Sequence, residues 1–187
     1  LLRGPILSTL ARLSGPNIAV AIATTMTTIA DAWFVGQIGV TALASLALVY
    51  PVQALLMMMS AGAMGGGVSS AVSRALGGGQ RERANAIVLH AVIIALGMSA
   101  LFVLLLAVQA PAVFTMLGGS AGVLDGAVAY AEVAFGGAIA MWLANTFASI
   151  LRGTGNMNVP AIALVFASAV QIFLSGALTL GWGPFPE

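Results

Sequence analysis

Long apolar runs alternate with short polar interruptions along this chain of 187 residues. A bilayer-crossing helix needs about 20 mostly apolar residues, and runs of that kind occupy roughly 15–35, 43–72, 84–108, 126–150 and 159–181. Between them lie QIGVT (37–41), RALGGGQRER (74–83), a Gly-containing stretch at 109–125 and RGTGNMN (152–158). Residues 3–14 read as a short amphipathic lead-in along the membrane surface, and Pro51 predicts a kink or tilt early in the second run. The pattern predicts an all-α integral membrane protein with five transmembrane helices.

Composition agrees: 60% of residues are apolar and 6% charged, against roughly a quarter charged in soluble domains. Lipid is therefore the natural solvent. A net charge of +1 supplies no basic field for a nucleic-acid partner. The absence of cysteine excludes a disulfide framework and thiolate metal ligands. Arg3, Arg12, Arg74, Arg81, Arg83 and Arg152 all fall at one side of the predicted topology, and the opposite connections carry none. The positive-inside rule makes that side cytoplasmic, with the N-terminus inside and Glu187 outside. The expected location is a multi-pass position in the plasma membrane, with the lipid bilayer as the principal partner. No internal repeat is visible. The start at Leu-Leu-Arg and the end at Gly-Pro-Phe-Pro-Glu, just after a hydrophobic run, suggest a piece of a longer protein.

The polar residues inside the runs are the candidates for chemistry. Asp31, in TTIADAWFVGQIG, lies five residues before Gly36 and so roughly 7 Å below the outer end of its helix. It is either an interfacial acid reaching water or an ion or proton site facing a cavity. Glu132, expected about 10 Å deep in the fourth run, is the second such acid; two carboxylates at one level can share a proton or hold a cation. Its alternative is an acid favoured by the positive end of a helix dipole. Asp125 reads as an N-cap. Gln171 and Ser175 lie one turn apart on one face, either bonded to a neighbouring helix or facing a ligand. Tyr130, Trp142 and Asn145 are comparable, with the Trp142 N–H needing a partner or a wet cavity. Thr24, Thr25, Thr27 and Thr28 fit back-bonding to helix carbonyls better than a cavity lining. Met57, Met58, Met59 and Met64 fit core packing, with an adaptable pocket as the alternative. Gly62 and Gly66 form GxxxG, a signal of close helix approach. GGSAG (118–122) matches a hydrolase elbow pattern, but the single histidine, His90, is most of a bilayer away and no strand precedes the motif. His90 also lacks a second metal-ligating side chain, so no metal site is expected.

Together, ADAWFVGQIGVTALAS, SAVSRALGGGQRERA, Tyr130 with ASILRGTGNMNVP, and QIFLSGALTLGWGPFP resemble, in order and spacing, the multidrug and toxic compound extrusion (MATE) family of cation-coupled exporters. The resemblance implies twelve helices in two six-helix lobes, exporting organic cations and drugs by antiport against sodium or protons. Residues 1–187 then correspond to an N-terminal lobe short of its sixth helix and of the second lobe. It implies no cofactor beyond the coupling ion, no enzymatic activity and a bacterial inner-membrane location. The family's cation site uses a first-span acid, matched by Asp31, and a fifth-span Asn with an Asp four residues later. Here those positions hold Gln171 and Ser175, a departure that leaves Glu132 to supply the missing charge and favours proton coupling. The expected ion-coupling set is Asp31, Glu132, Gln171, Ser175 and Tyr130; the expected substrate cavity includes Trp142, Asn145, Met57 and Thr27. A related lipid-linked oligosaccharide flippase, an intramembrane enzyme and a non-transporting scaffold are the competing readings. The spans contain no Arg or Lys for a pyrophosphate, and paired catalytic residues are missing.

Overall fold

The computed structural model describes residues 6–181, with no strand among them. Arg3, Glu187 and the Gly-Pro-Phe-Pro turn lie outside the described residues, as does the Arg12 side chain. Seven α-helices follow one another: α1 (Ile6–Ile38), α2 (Val40–Met57), α3 (Gly65–Gly77), α4 (Arg81–Met116), α5 (Ala121–Gly136), α6 (Ala138–Gly153) and α7 (Asn158–Thr179). A π-helical segment, Met58–Met64, joins α2 to α3. Four stretches are long and apolar enough to cross a membrane, and α5 with α6 makes a fifth as a span bent by 47°.

The helices differ from the sequence reading in six places. Residues 6–14 belong to the helix that continues through Pro16 to Ile38, so the lead-in is not a separate element there. Residue Gly39 alone interrupts α1 and α2, replacing the expected five-residue loop. Its φ of 141° and ψ of 170° are open essentially only to glycine. In the second span, regular α geometry persists through Pro51 and breaks later, at the π segment. Helix α4 runs on to Met116 with Pro111 inside it, and α5 begins at Ala121, so most of 109–125 is helical. Ser120, not Asp125, occupies the N-cap position of α5. The expected straight fourth helix is broken at Gly136–Gly137, where two adjacent glycines weaken helical continuity.

Two compact units result. One holds α1 and α7, the other α2 to α6. In the first, α1 and α7 pack against one another. Thr27, Asp31 and Phe34 recur at helical spacing on α1, with Thr27 and Phe34 buried. Small residues, Gly176 and Ala177, are buried on α7 and let the backbones approach.

The second unit is built around Val49, Leu56, Phe114, Phe135 and Trp142, with Met59 and Met64 packed against that core. Met57 and Met58 are exposed, so only half of the methionine group packs inward. Close helix approach comes from Gly65 and Gly153, correcting the GxxxG expectation: a Cβ on Gly62 or Gly66 meets nothing within 4 Å among the described residues. On Gly65 it meets Ser149 Oγ at 2.5 Å, and on Gly153 the Ser69 carbonyl at 2.8 Å.

Candidate ion-coupling site

Asp31 is half-buried on α1, seven residues from the helix end at Ile38. That is about 10 Å along the axis, somewhat deeper than the sequence reading because the helix outlasts Gly36. Both of its carboxylate oxygens accept hydrogen bonds from α7. Gln171 Nε2 donates to Oδ2 at 2.9 Å, and Ser175 Oγ donates to Oδ1 at 3.0 Å. The four-residue spacing that puts Gln171 and Ser175 on one face aims both at a single acid. Thr179 in turn donates to the Ser175 carbonyl at 2.6 Å, tying the end of α7 together. No lysine or arginine forms an ion pair with Asp31 among the described residues, so neutral donors alone satisfy the carboxylate.

That donor set suits a group that changes charge. A serine hydroxyl donates to a carboxylate and can accept from a carboxylic acid; an amide offers N–H on one side and C=O on the other. Neither partner is left stranded in either protonation state of Asp31.

The other expected ion-coupling residues lie on α5. Because α5 starts at Ala121, Glu132 is eleven residues into the helix, about 16 Å along it, and one turn before the break at Gly136. Helix α5 turns Ala127, Ala131 and Phe135 inward, which leaves Glu132 exposed. Tyr130 is also exposed, on the same helix.

Of the four cavity candidates, Trp142, Asn145 and Thr27 are packed instead. Thr27 is buried and donates to the Ala23 carbonyl at 2.9 Å, and Thr24, Thr25 and Thr28 back-bond in the same way. Trp142 is 1% exposed against Phe102, with ring centroids 5.9 Å apart. Its Nε1 has no hydrogen-bond partner among the described residues.

Asn145 clamps the π segment, a feature the sequence did not signal beyond a polar residue in a span. Its Nδ2 donates to Ser60 Oγ at 2.9 Å and contacts Met57 Sδ at 3.4 Å, while Ser149 Oγ donates to the Asn145 carbonyl at 2.8 Å. A π-helical turn carries an extra residue relative to α geometry, and this bond fixes where that residue sits. Asn145→Ala is expected to cost about 1 kcal/mol, the net worth of one buried hydrogen bond. A thermal unfolding midpoint lower by roughly 2–4 °C checks it; an unchanged midpoint removes the clamp role.

Ser120 of GGSAG borders an apolar cleft of about 430 Å³ with Leu48 and Val123. His90 sits 26 residues from the end of α4 at Met116, about 39 Å along the axis, and its Nδ1 is paired with the Ala86 carbonyl at 2.6 Å. The two cannot meet in a catalytic pair. Among the described residues no cluster of metal-ligating side chains is present.

The MatE family model matches residues 16–175. The FAD transporter of Shewanella oneidensis is 28% identical over 100% of this chain and 41% of its own length. The probable multidrug resistance protein YoeA of Bacillus subtilis is 28% identical over 80% of this chain and 32% of its own. A solved outward-facing multidrug resistance MATE family transporter of the MOP superfamily superposes with a TM-score of 0.88 at 30% identity, covering 97% of this chain and 41% of that one. The chain thus spans well under half the length of these relatives.

Proposed function

We propose that this chain, which belongs to the MatE family, carries the proton-coupling site of an exporter that moves organic cations out of the cell by alternating access. The observation that supports this reading best is the Asp31–Gln171–Ser175 cluster, a membrane-embedded carboxylate held by two partners that tolerate both of its charge states. Burying an ionised carboxylate without a counter-charge costs several kcal/mol, and protonation removes that cost. A proton arriving at Asp31 therefore biases one conformation over another by its differential affinity for the two. Sodium coupling at the same place lacks the second acid: Ser175 on α7 stands where the resemblance implies a carboxylate. Glu132, exposed in the middle of the broken span, is the second acid in this reading. Exposed Met57 suits a tolerant apolar wall for drug-like substrates.

The test is efflux from proteoliposomes of the whole protein, with a cationic dye and FAD as alternative cargoes, since one relative is named an FAD transporter. An imposed proton gradient is expected to drive dye export and an imposed sodium gradient to leave it at background. Drive by sodium alone refutes the proton reading. Drive by neither, with either cargo, refutes the exporter reading.

A further inference from the structure

At one end of the second unit, four arginines stand against a single acid. Arg74 closes α3, Arg81 and Arg83 open α4, and Arg152 closes α6. The close packing of Gly153 on Ser69 and Val72 brings the end of α6 beside that of α3. Among the described residues Glu82 is the one carboxylate there and no ion pair forms, so within them these guanidinium charges stay uncompensated.

The turn between α3 and α4 shapes a cleft beneath two of them. Gly79, at φ 72°, sits in the left-handed region. The Gly79 N–H bonds the Leu76 carbonyl, and the Gln80 N–H bonds the Ala75 carbonyl, the paired pattern that ends a helix sharply. The chain reverses at once into α4, leaving a space of about 340 Å³ lined by the polar Arg74, Gln80 and Arg83 and by the apolar Ala71, Ala75 and Ile87. Arg74 donates one N–H to Ser70 Oγ, and Arg83 donates one to Gln80 Oε1. A guanidinium carries five, so both keep donors for an oxygen-rich anion. Ala71 lies one turn inward of Arg74, and Ile87 one turn inward of Arg83.

We infer that this cleft binds the headgroup of an anionic phospholipid, with its phosphate between Arg74 and Arg83 and its acyl chain running along Ala71 and Ile87. The order from arginines at the helix ends to apolar residues one turn inward matches a phospholipid from phosphate to tail. A free phosphate compound would use the arginines and gain nothing from the apolar wall. Two planar guanidiniums suit a phosphate's paired oxygens, and basic clefts between membrane helices on the side rich in Lys and Arg favour anionic lipids.

The experiment is native mass spectrometry of the whole protein in detergent supplied with phosphatidylglycerol or phosphatidylcholine. The wild type is expected to retain phosphatidylglycerol selectively. Since each basic group near the headgroup layer contributes about fivefold, R74Q/R83Q is expected to lower retention by about 30-fold. Arg152→Gln, which alters charge outside the cleft, is expected to change it by less than about fivefold. The conservative R74K/R83K pair keeps the charge and is expected to fall between wild type and R74Q/R83Q, giving a reading if the neutral pair fails to fold. Equal retention of the two lipids overturns the site, as does a larger loss from Arg152→Gln than from R74Q/R83Q. Displacement of phosphatidylglycerol by an equal concentration of soluble glycerol phosphate overturns the lipid as occupant in favour of a free phosphate compound.

Discussion

Asp31→Asn is expected to cut proton-driven efflux by about 5- to 150-fold, the range that a coupling free energy of 1–3 kcal/mol spans, while leaving the protein folded. The folding half follows from geometry. An asparagine carbonyl still accepts from Gln171, and its NH₂ can donate to Ser175, whose hydroxyl accepts as readily as it donates. What disappears is the ability to change charge, so the cluster is held permanently in its neutral condition. A ligand or proton that no longer distinguishes two conformations cannot shift them. Initial efflux rates under a fixed proton gradient, with the thermal midpoint as a folding control, check both halves together. Efflux at wild-type rates removes Asp31 from coupling.

Two companion variants sharpen that result. Ser175→Ala leaves the carboxylate with one donor and is expected to weaken coupling less than Asp31→Asn, because Gln171 remains. Glu132→Gln is expected to lower proton-driven efflux as well, as the loss of the second acid; an unchanged rate confines coupling to Asp31.

Gly153→Val is expected to produce the larger structural loss. Even a Cβ at this position lies 2.8 Å from the Ser69 carbonyl and 3.0 Å from Val72 Cβ. The first of these is backbone and cannot rotate away, so α6 has to move off α3. Overpacking of this kind costs about 1–3 kcal/mol, and a β-branched side chain in a helix adds to it. A fall of roughly 2–4 °C in the unfolding midpoint is expected for each kcal/mol. Gly66→Ala supplies the contrast: with nothing within 4 Å among the described residues, it gains up to about 1 kcal/mol of helix propensity. A midpoint that rises with Gly66→Ala and falls with Gly153→Val places the α3–α6 contact at Gly153. Equal shifts refute that assignment.

The membrane class and the number of spans were legible in the sequence, because a bilayer imposes a length and an apolarity that one-dimensional patterning records. Asp31, Gln171 and Ser175 could be chosen for a similar reason: a polar group in lipid is costly wherever it sits, so it stands out before any fold is known. Helical periodicity even put Gln171 and Ser175 on one face. It could not say that the face would meet α1, since that depends on the packing of helices 140 residues apart in the chain. Nor could it separate Gly62 and Gly66 from Gly65 and Gly153, because a glycine's role is set by what approaches it. The π segment, the break at Gly136–Gly137 and the inward positions of Asn145 and Trp142 escaped it as well. Local patterning determined which segments leave water and which polar groups go with them. Only tertiary structure decided which of those groups meet, because a contact is a relation between two helices and hydropathy is a property of one.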